Sequence, residues 1–265
     1  MDLTYFHLQR HPFERDIPVG ELFPFKGFEE AKARLKYSME RRTISVLTGE
    51  VGCGKSTVLR ALVSSLPDTR YKFIYISDRN LTERAFYDLI LTELGVIPDY
   101  LPVRMKRQFR EAVESLAAKG IDLIIAIDEA HELSHDMLQE IRYLCNFRMD
   151  SSTPFTIILV GEPQMRATLR LRSLQAVFRR VDVQYHLTGM EKSEIKPYIV
   201  HELKMAGCDR PLFPDDVIDR IYEYSKGAVW LVARLCKGCL MDAYIHRQQL
   251  VDGDNLKRVT EELTL

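Results

Sequence analysis

Eight consecutive residues, Gly49-Glu50-Val51-Gly52-Cys53-Gly54-Lys55-Ser56, have the spacing G-x-x-x-x-G-K-S. Glycines let a backbone curl so that successive N–H groups point inward at a phosphate chain. At this spacing Lys55 reaches the β- and γ-phosphates of a nucleotide, and the Ser56 hydroxyl is placed to ligand Mg²⁺. A helix that follows directly presents its positive N-terminal end to the same anion. Further on, Ile121-Asp122-Leu123-Ile124-Ile125-Ala126-Ile127-Asp128-Glu129 is an apolar run ending in two acids. Asp128 suits holding Mg²⁺, through water or directly. Glu129, one residue on, is placed to polarise an attacking water. An acid for the cation and an acid for the water predict hydrolysis, not binding alone. The expected ligands are ATP and Mg²⁺, with the nucleotide held by Gly49, Glu50, Val51, Gly52, Cys53, Gly54, Lys55, Ser56, Thr57 and Asp128.

Two neighbouring features receive plainer readings. Cys53 fills a variable position of the loop; it is expected to be open to thiol reagents and has no assigned chemical role. Asp128-Glu129-Ala130-His131 also spells a helicase-like box. Such helicases need two RecA-like halves, and this chain has length for one. His131 reads as a local hydrogen-bonding residue rather than a catalyst.

The elements that must position these groups are legible as runs. Thr43–Thr48, Lys72–Ile76, Leu123–Asp128, Phe155–Val160 and Val181–His186 are short and β-rich, and helical stretches separate them. Several are apolar throughout, the mark of parallel strands covered on both faces. Thr57–Val63, directly after the glycine loop, has helical apolar spacing. The alternation predicts an α/β core, a five-stranded parallel sheet with flanking helices and ligand at the carboxyl ends of the strands. After His186 the pattern turns helical: Glu191–Ala206, Asp215–Ser225, Ala228–Ile245 and Asp254–Glu262, broken at Gly207, Pro211, Pro214, Gly227 and Gly253. The expected division is therefore an N-terminal arm (1–26), an ATPase core (27–187) and a small helical lid (188–265). The arm holds Phe6, Pro12, Phe13 and Pro24 and is expected to pack on the core near the nucleotide base.

Composition narrows the rest. The chain has 265 residues, 46% hydrophobic and 28% charged, with net charge −1. Bulk charge therefore predicts neither nucleic acid nor membrane, and any anion site must be a local patch. No apolar stretch approaches the roughly 18 residues of a spanning helix. The N-terminus lacks a basic region followed by an apolar one. A cytoplasmic protein without membrane contact is expected. Five cysteines, an odd number, fit a reducing compartment. Cys236-Lys237-Gly238-Cys239 stands alone in a helical pattern and reads as a pair of buried thiols.

With these residues in hand, the chain resembles AAA+ ATPases of the ExeA type nearly end to end. Tyr5-Phe6-x-Leu8-x-x-x-Pro12-Phe13 looks like that family's N-terminal signature. Leu47–Gly52 matches its phosphate-loop entry, Ile141–Asn146 its segment after the acidic strand, and Leu159-Val160-Gly161-Glu162-Pro163 the end of its fourth strand. The resemblance implies subunits assembled into a ring or filament, with ATP between them. Arg180, with Arg179 as the fallback, falls where the family places its arginine finger, which acts on the neighbouring subunit's phosphoryl group. Two positions depart from the family pattern. The sensor position of the fourth strand is Glu162. The lid's G-x-P-R is replaced by Gly227-Ala228-Val229-Trp230, so the nucleotide-contacting Arg is lost, and Arg234 lies one helical turn on. Slow turnover, suited to a timer, is the expectation.

Similarity in architecture to TnsC- and IstB-type proteins implies a task. Those proteins coat duplex DNA in an ATP state and recruit a transposase or integrase. Their DNA contacts come from loops that correspond here to Arg79 and to Arg104, Lys106 and Arg107, in a run with four bases and no acid. Such residues give salt-dependent, weakly selective backbone binding. ExeA-like secretion-assembly ATPases are the alternative. They typically add a membrane span and a peptidoglycan-binding domain, and neither is visible in this chain. A loader or remodeller of another protein complex is the third reading.

Overall fold

The computed structural model describes residues 1–145, 147 and 153–263. In chain order the elements run α1 (Lys26–Arg41), β1 (Ile44–Gly49), α2 (Lys55–Ser64), β2 (Tyr71–Ile76), α3 (Glu83–Glu93), α4 (Pro102–Ala118) and β3 (Asp122–Ile127). There follow α5 (His135–Leu144), β4 (Phe155–Gly161), α6 (Gln164–Leu169), α7 (Gln175–Phe178) and β5 (Val181–Leu187). Four helices close the chain: α8 (Lys192–Met205), α9 (Asp215–Ser225), α10 (Val229–Ile245) and α11 (Gly253–Leu263). Each expected strand is present within a residue or so of its expected ends. Of the segment expected to resemble the family after the acidic strand, Asn146 lies outside the described residues.

The strands form one sheet in the order β2-β3-β4-β1-β5. The pairs β2–β3, β3–β4 and β4–β1 are parallel. Sequence chemistry explains the order. All residues of β1 and β4 are buried, and β3 is buried after its first residue, whereas β2 and β5 alternate with exposed positions. A strand apolar on both faces is stable only where helices cover both; the two half-polar strands take the edges. On one face Ile44, Val46, Ile125, Ile127, Ile157 and Leu159 pack with Phe86, Met105, Phe109, Met137 and Ile141 of the flanking helices. Leu47, Ile124, Ala126, Ile158 and Val160, which alternate with them, are equally buried. In α4 the apolar positions Met105, Phe109 and Val113 recur every fourth residue and face the core. Thr82 and Ser134 cap α3 and α5 by accepting the backbone N–H of Ala85 and Met137.

The chain separates into two compact units. One holds 30–49 and 55–186, with the whole sheet up to His186; the other holds 1–29, 50–54 and 187–265. Within the second unit the N-terminal arm packs on the C-terminal helices. Phe13 and Phe23 pack against Tyr198, Phe13 also meets Phe213, and Tyr5 meets Tyr244. The Gln9 N–H donates to the Ala206 carbonyl at 2.7 Å, and the Phe13 N–H to Glu202 at 3.2 Å. The sequence reading placed this arm on the core. Within its own unit the arm meets the C-terminal helices, whose aromatic residues give Phe13 and Phe23 partners.

Candidate functional site

Parallel strands bring their carboxyl ends to one edge, and register sets what meets there. Thr48 pairs with Gly161, Ile127 with Leu159, and Ile76 with Ile127. The residues that leave these strands are therefore the glycine loop after β1, Asp128-Glu129 after β3 and Glu162 after β4. Lys55 and Ser56 open α2, so the helix starts where the loop ends.

In the loop Gly52 and Gly54 have φ of 77° and 105°, conformations that other residues adopt only with strain. Lys55 Nζ donates to the Gly49 carbonyl at 2.8 Å. Ser56 Oγ lies 3.4 Å from Asp128 Oδ2, so the hydroxyl and carboxylate expected to share Mg²⁺ face each other. Asp128 is 6% exposed. The donor set is a hydroxyl, a carboxylate and an ammonium beside a glycine loop at a helix N-terminus, which fits a magnesium-bound triphosphate. Cys53 is 2% exposed, which corrects the expectation that thiol reagents reach it.

Tyr75 was missed by sequence reasoning. Its phenol donates to Asp128 Oδ2 at 2.6 Å, across the β2–β3 pair in which Tyr75 lies opposite Ala126. Burial and the Asp128 carboxylate push the phenol up to about 12, so it stays a proton donor. The carboxylate is also fixed by the Glu129 N–H, which donates to Oδ1 at 2.9 Å. The signal in the sequence was a half-polar strand with a tyrosine near its carboxyl end, which fixes no partner until the register is known.

Glu129 has φ 52° and ψ 33°, left-handed for a residue with a Cβ, which costs on the order of 1–2 kcal/mol. The turn is held by the Glu132 N–H on the Glu129 carbonyl at 2.9 Å. Its side chain is 43% exposed, accessible to water. His131, 6% exposed, sits among three carboxylates: Glu129 Oε2 is 3.4 Å from Nδ1, and Glu132 Oε1 and Glu162 Oε1 are 3.4 and 3.7 Å from Nε2. The Glu162 N–H donates to Nδ1 at 3.3 Å. Glu129, His131 and Glu162 offer ligand atoms within 4.8 Å of one another, but Nδ1 is already an acceptor. His131 thus accepts the Glu162 N–H through Nδ1 and faces the Glu132 and Glu162 carboxylates through Nε2, a hydrogen-bonding residue beside Glu129. Gly161 permits the approach, since a Cβ there would lie 3.1 Å from the His131 backbone nitrogen. A side-chain hydrogen bond from Gln164 holds the Glu162 carboxyl below its ordinary value, with His131 and Lys55 adding to the effect.

The other expected site residues are placed as follows. Arg180 donates to the Cys145 carbonyl at 3.4 Å and is partly buried, while Arg179 is exposed. Arg79 is exposed. The basic run is far less bare than its sequence. Arg104 pairs with Asp99 at 3.4 Å, Arg107 with Glu111 at 3.4 Å, and Lys106 with both Glu83 and Glu140 at 2.9 Å. Burial works against the charge of Lys106, but hydrogen bonds with Glu140 and Glu83 outweigh it and raise its pKa. The fold brings in acids that the run itself lacks. Arg234 lies over the Trp230 ring at 5.9 Å. All five cysteines are buried, as expected for Cys236 and Cys239. Among the described residues no helix is long and apolar enough to cross a membrane.

Residues 38–169 match the family described as an AAA domain. The chain is 29% identical over 259 residues to general secretion pathway protein A of Aeromonas hydrophila, covering 96% of this chain and 47% of that protein. It thus spans about half the length of that curated relative. Among solved structures, the Aeropyrum pernix ORC2 protein in its ADPNP–ADP complexes superposes with a TM-score of 0.66 at 16% identity, covering 94% of this chain and 71% of that one. Drosophila ORC bound to DNA superposes with 0.68 at 13% identity, covering 99% and 65%. At these identities the likeness is one of fold: a P-loop AAA-type α/β core with C-terminal helices.

Proposed function

We propose that this AAA-type chain hydrolyses ATP at sites completed by a neighbouring copy, and that its nucleotide state times an assembly. The observation that carries the proposal is the convergence of Lys55 and Ser56 with Asp128 and Glu129 at the carboxyl ends of β1 and β3. Bound Mg²⁺–ATP supplies the transferable γ-phosphoryl group. Lys55 and the loop N–H groups hold its phosphates, and Ser56 and Asp128 hold its cation. Glu129 orients a water and takes its proton. Arg180, with Arg179 as fallback, supplies positive charge to the next subunit's site. In this scheme residues 27–187 are the catalytic core, 188–265 the lid and 1–26 the arm. Turnover is slow because Trp230 stands where relatives carry a lid Arg. The test is phosphate release by the purified chain. Turnover per subunit rises with protein concentration, and Lys55→Ala weakens ATP binding at least about tenfold by removing a charge-assisted contact. Turnover unchanged by Lys55→Ala overturns the assignment.

Two tasks remain, and an observation favours each. The 29% identity across nearly the whole chain favours a secretion-assembly ATPase. The match covers about half of that relative, so a membrane span and a wall-binding domain do not bear on the choice. The second task is a DNA-bound regulator of transposition that engages a transposase or integrase. It rests on Arg79 and on the backbone contacts that Arg104, Lys106 and Arg107 would make after leaving their acidic partners. A mobility-shift assay with duplex DNA separates the two: ATP-dependent binding that weakens with salt supports the DNA task, and no shift in any nucleotide state at low salt eliminates it.

A further inference from the structure

Trp230 is the chain's one tryptophan, and its setting is unusual for a helix start. Ala228, the N-cap of α10, offers no side-chain hydrogen bond, so the first-turn N–H groups need other acceptors. The Trp230 N–H finds one in the Gly52 carbonyl at 3.1 Å. The indole lies directly on that glycine: a Cβ at position 52 would stand 1.4 Å from Trp230 Cδ1 and 2.2 Å from Cγ. Gly52 is thus required twice, by its φ of 77° and by the ring above it. Trp230 is 38% exposed, and the Arg234 guanidinium lies 5.9 Å over its ring. Trp230, Arg234 and Glu50–Gly54 all belong to one compact unit.

A glycine loop is the most flexible backbone a chain can offer, and ordering it opposes binding. A loop fixed beforehand by a backbone hydrogen bond and an aromatic plate avoids that cost. We propose that Trp230 is a positioning residue for the phosphate loop. It holds Gly52 in its left-handed conformation, so that the loop's N–H groups are set before a nucleoside triphosphate arrives. Its indole then reports the loop's occupancy, because phosphate charge enters next to the ring and its stacked guanidinium. The inference rests on the reading of Gly49–Ser56 as a nucleotide site.

The experiment titrates the intact chain with Mg²⁺–ATP and Mg²⁺–ADP, reading heat by calorimetry and tryptophan emission on the same samples. The expected result is an emission change that saturates together with the heat. Trp230→Phe, which keeps an aromatic plate, retains affinity within about threefold, whereas Trp230→Ala weakens it about tenfold, equal to some 1.4 kcal/mol. Heat without any emission change overturns the proposal, as does a folded Trp230→Ala that binds like the parent. The emission arm needs no variant and decides even where Trp230→Ala does not fold. An absence of heat in the parent overturns the nucleotide reading, and this inference with it.

Discussion

Asp128 shows how much a single carboxylate depends on its neighbours. One oxygen faces Ser56 and Tyr75, the other takes the Glu129 N–H. Groups that orient a metal-binding carboxylate typically affect metal affinity by about 10–100-fold. Tyr75 is 50% exposed, which favours the lower end. Tyr75→Phe is therefore expected to raise the Mg²⁺ concentration for half-maximal ATP turnover about tenfold while leaving the thermal midpoint nearly unchanged. An unaltered Mg²⁺ dependence would remove Tyr75 from the site. At this scale sequence was informative where spacing alone fixes chemistry, as in Gly49–Ser56 and Asp128-Glu129. It was silent on Tyr75 and on the Trp230–Gly52 contact, because each needs a pairing between distant segments. It could not show the partners of Lys106, whose positive charge is matched by Glu83 and Glu140 from other helices.

The elements were more legible than their contacts. Runs without charged residues inside them became the central strands β1, β3 and β4, and the more polar Lys72–Ile76 and Val181–His186 became edges. The arm was recognised, but its aromatic residues could not name their partners. The arm's docking carries its own pH dependence. Glu202 of α8 is 5% exposed and accepts the Phe13 N–H. Burial raises its pKa above the ordinary 4.5, only partly offset by that hydrogen bond and by His201 and Arg10. A raised carboxyl pKa contributes stability that is fully present below the unfolded value and is lost as pH rises through the folded one. Glu202→Gln keeps a carbonyl acceptor without the charge. The variant should melt above the parent at neutral pH, by about 2–4 °C per kcal/mol, and the gap should close as pH falls toward 4.5. A gap independent of pH in thermal melts would show that Glu202 is not charged at a cost.

For the whole molecule, the central claim is that one chain holds half of a hydrolytic site. In the proposed scheme Glu129, in its left-handed turn, would supply the base. The exposed Arg179 and the partly buried Arg180 would supply the charge that a neighbour's phosphoryl group requires. Losing such an arginine costs about 10³–10⁵ in rate in related chemistry, and losing a general base about 10²–10⁴. The most direct measurement mixes two inactive proteins, Glu129→Gln and the double variant Arg179→Ala/Arg180→Ala, and follows phosphate release. Each alone is expected to bind ATP and to turn over at least about a hundredfold more slowly than the parent. Mixed, they form interfaces that pair an intact base with an intact arginine, and turnover returns to a sizeable fraction of the parent's. A mixture no faster than its components, or a double arginine variant with full activity, would contradict the account.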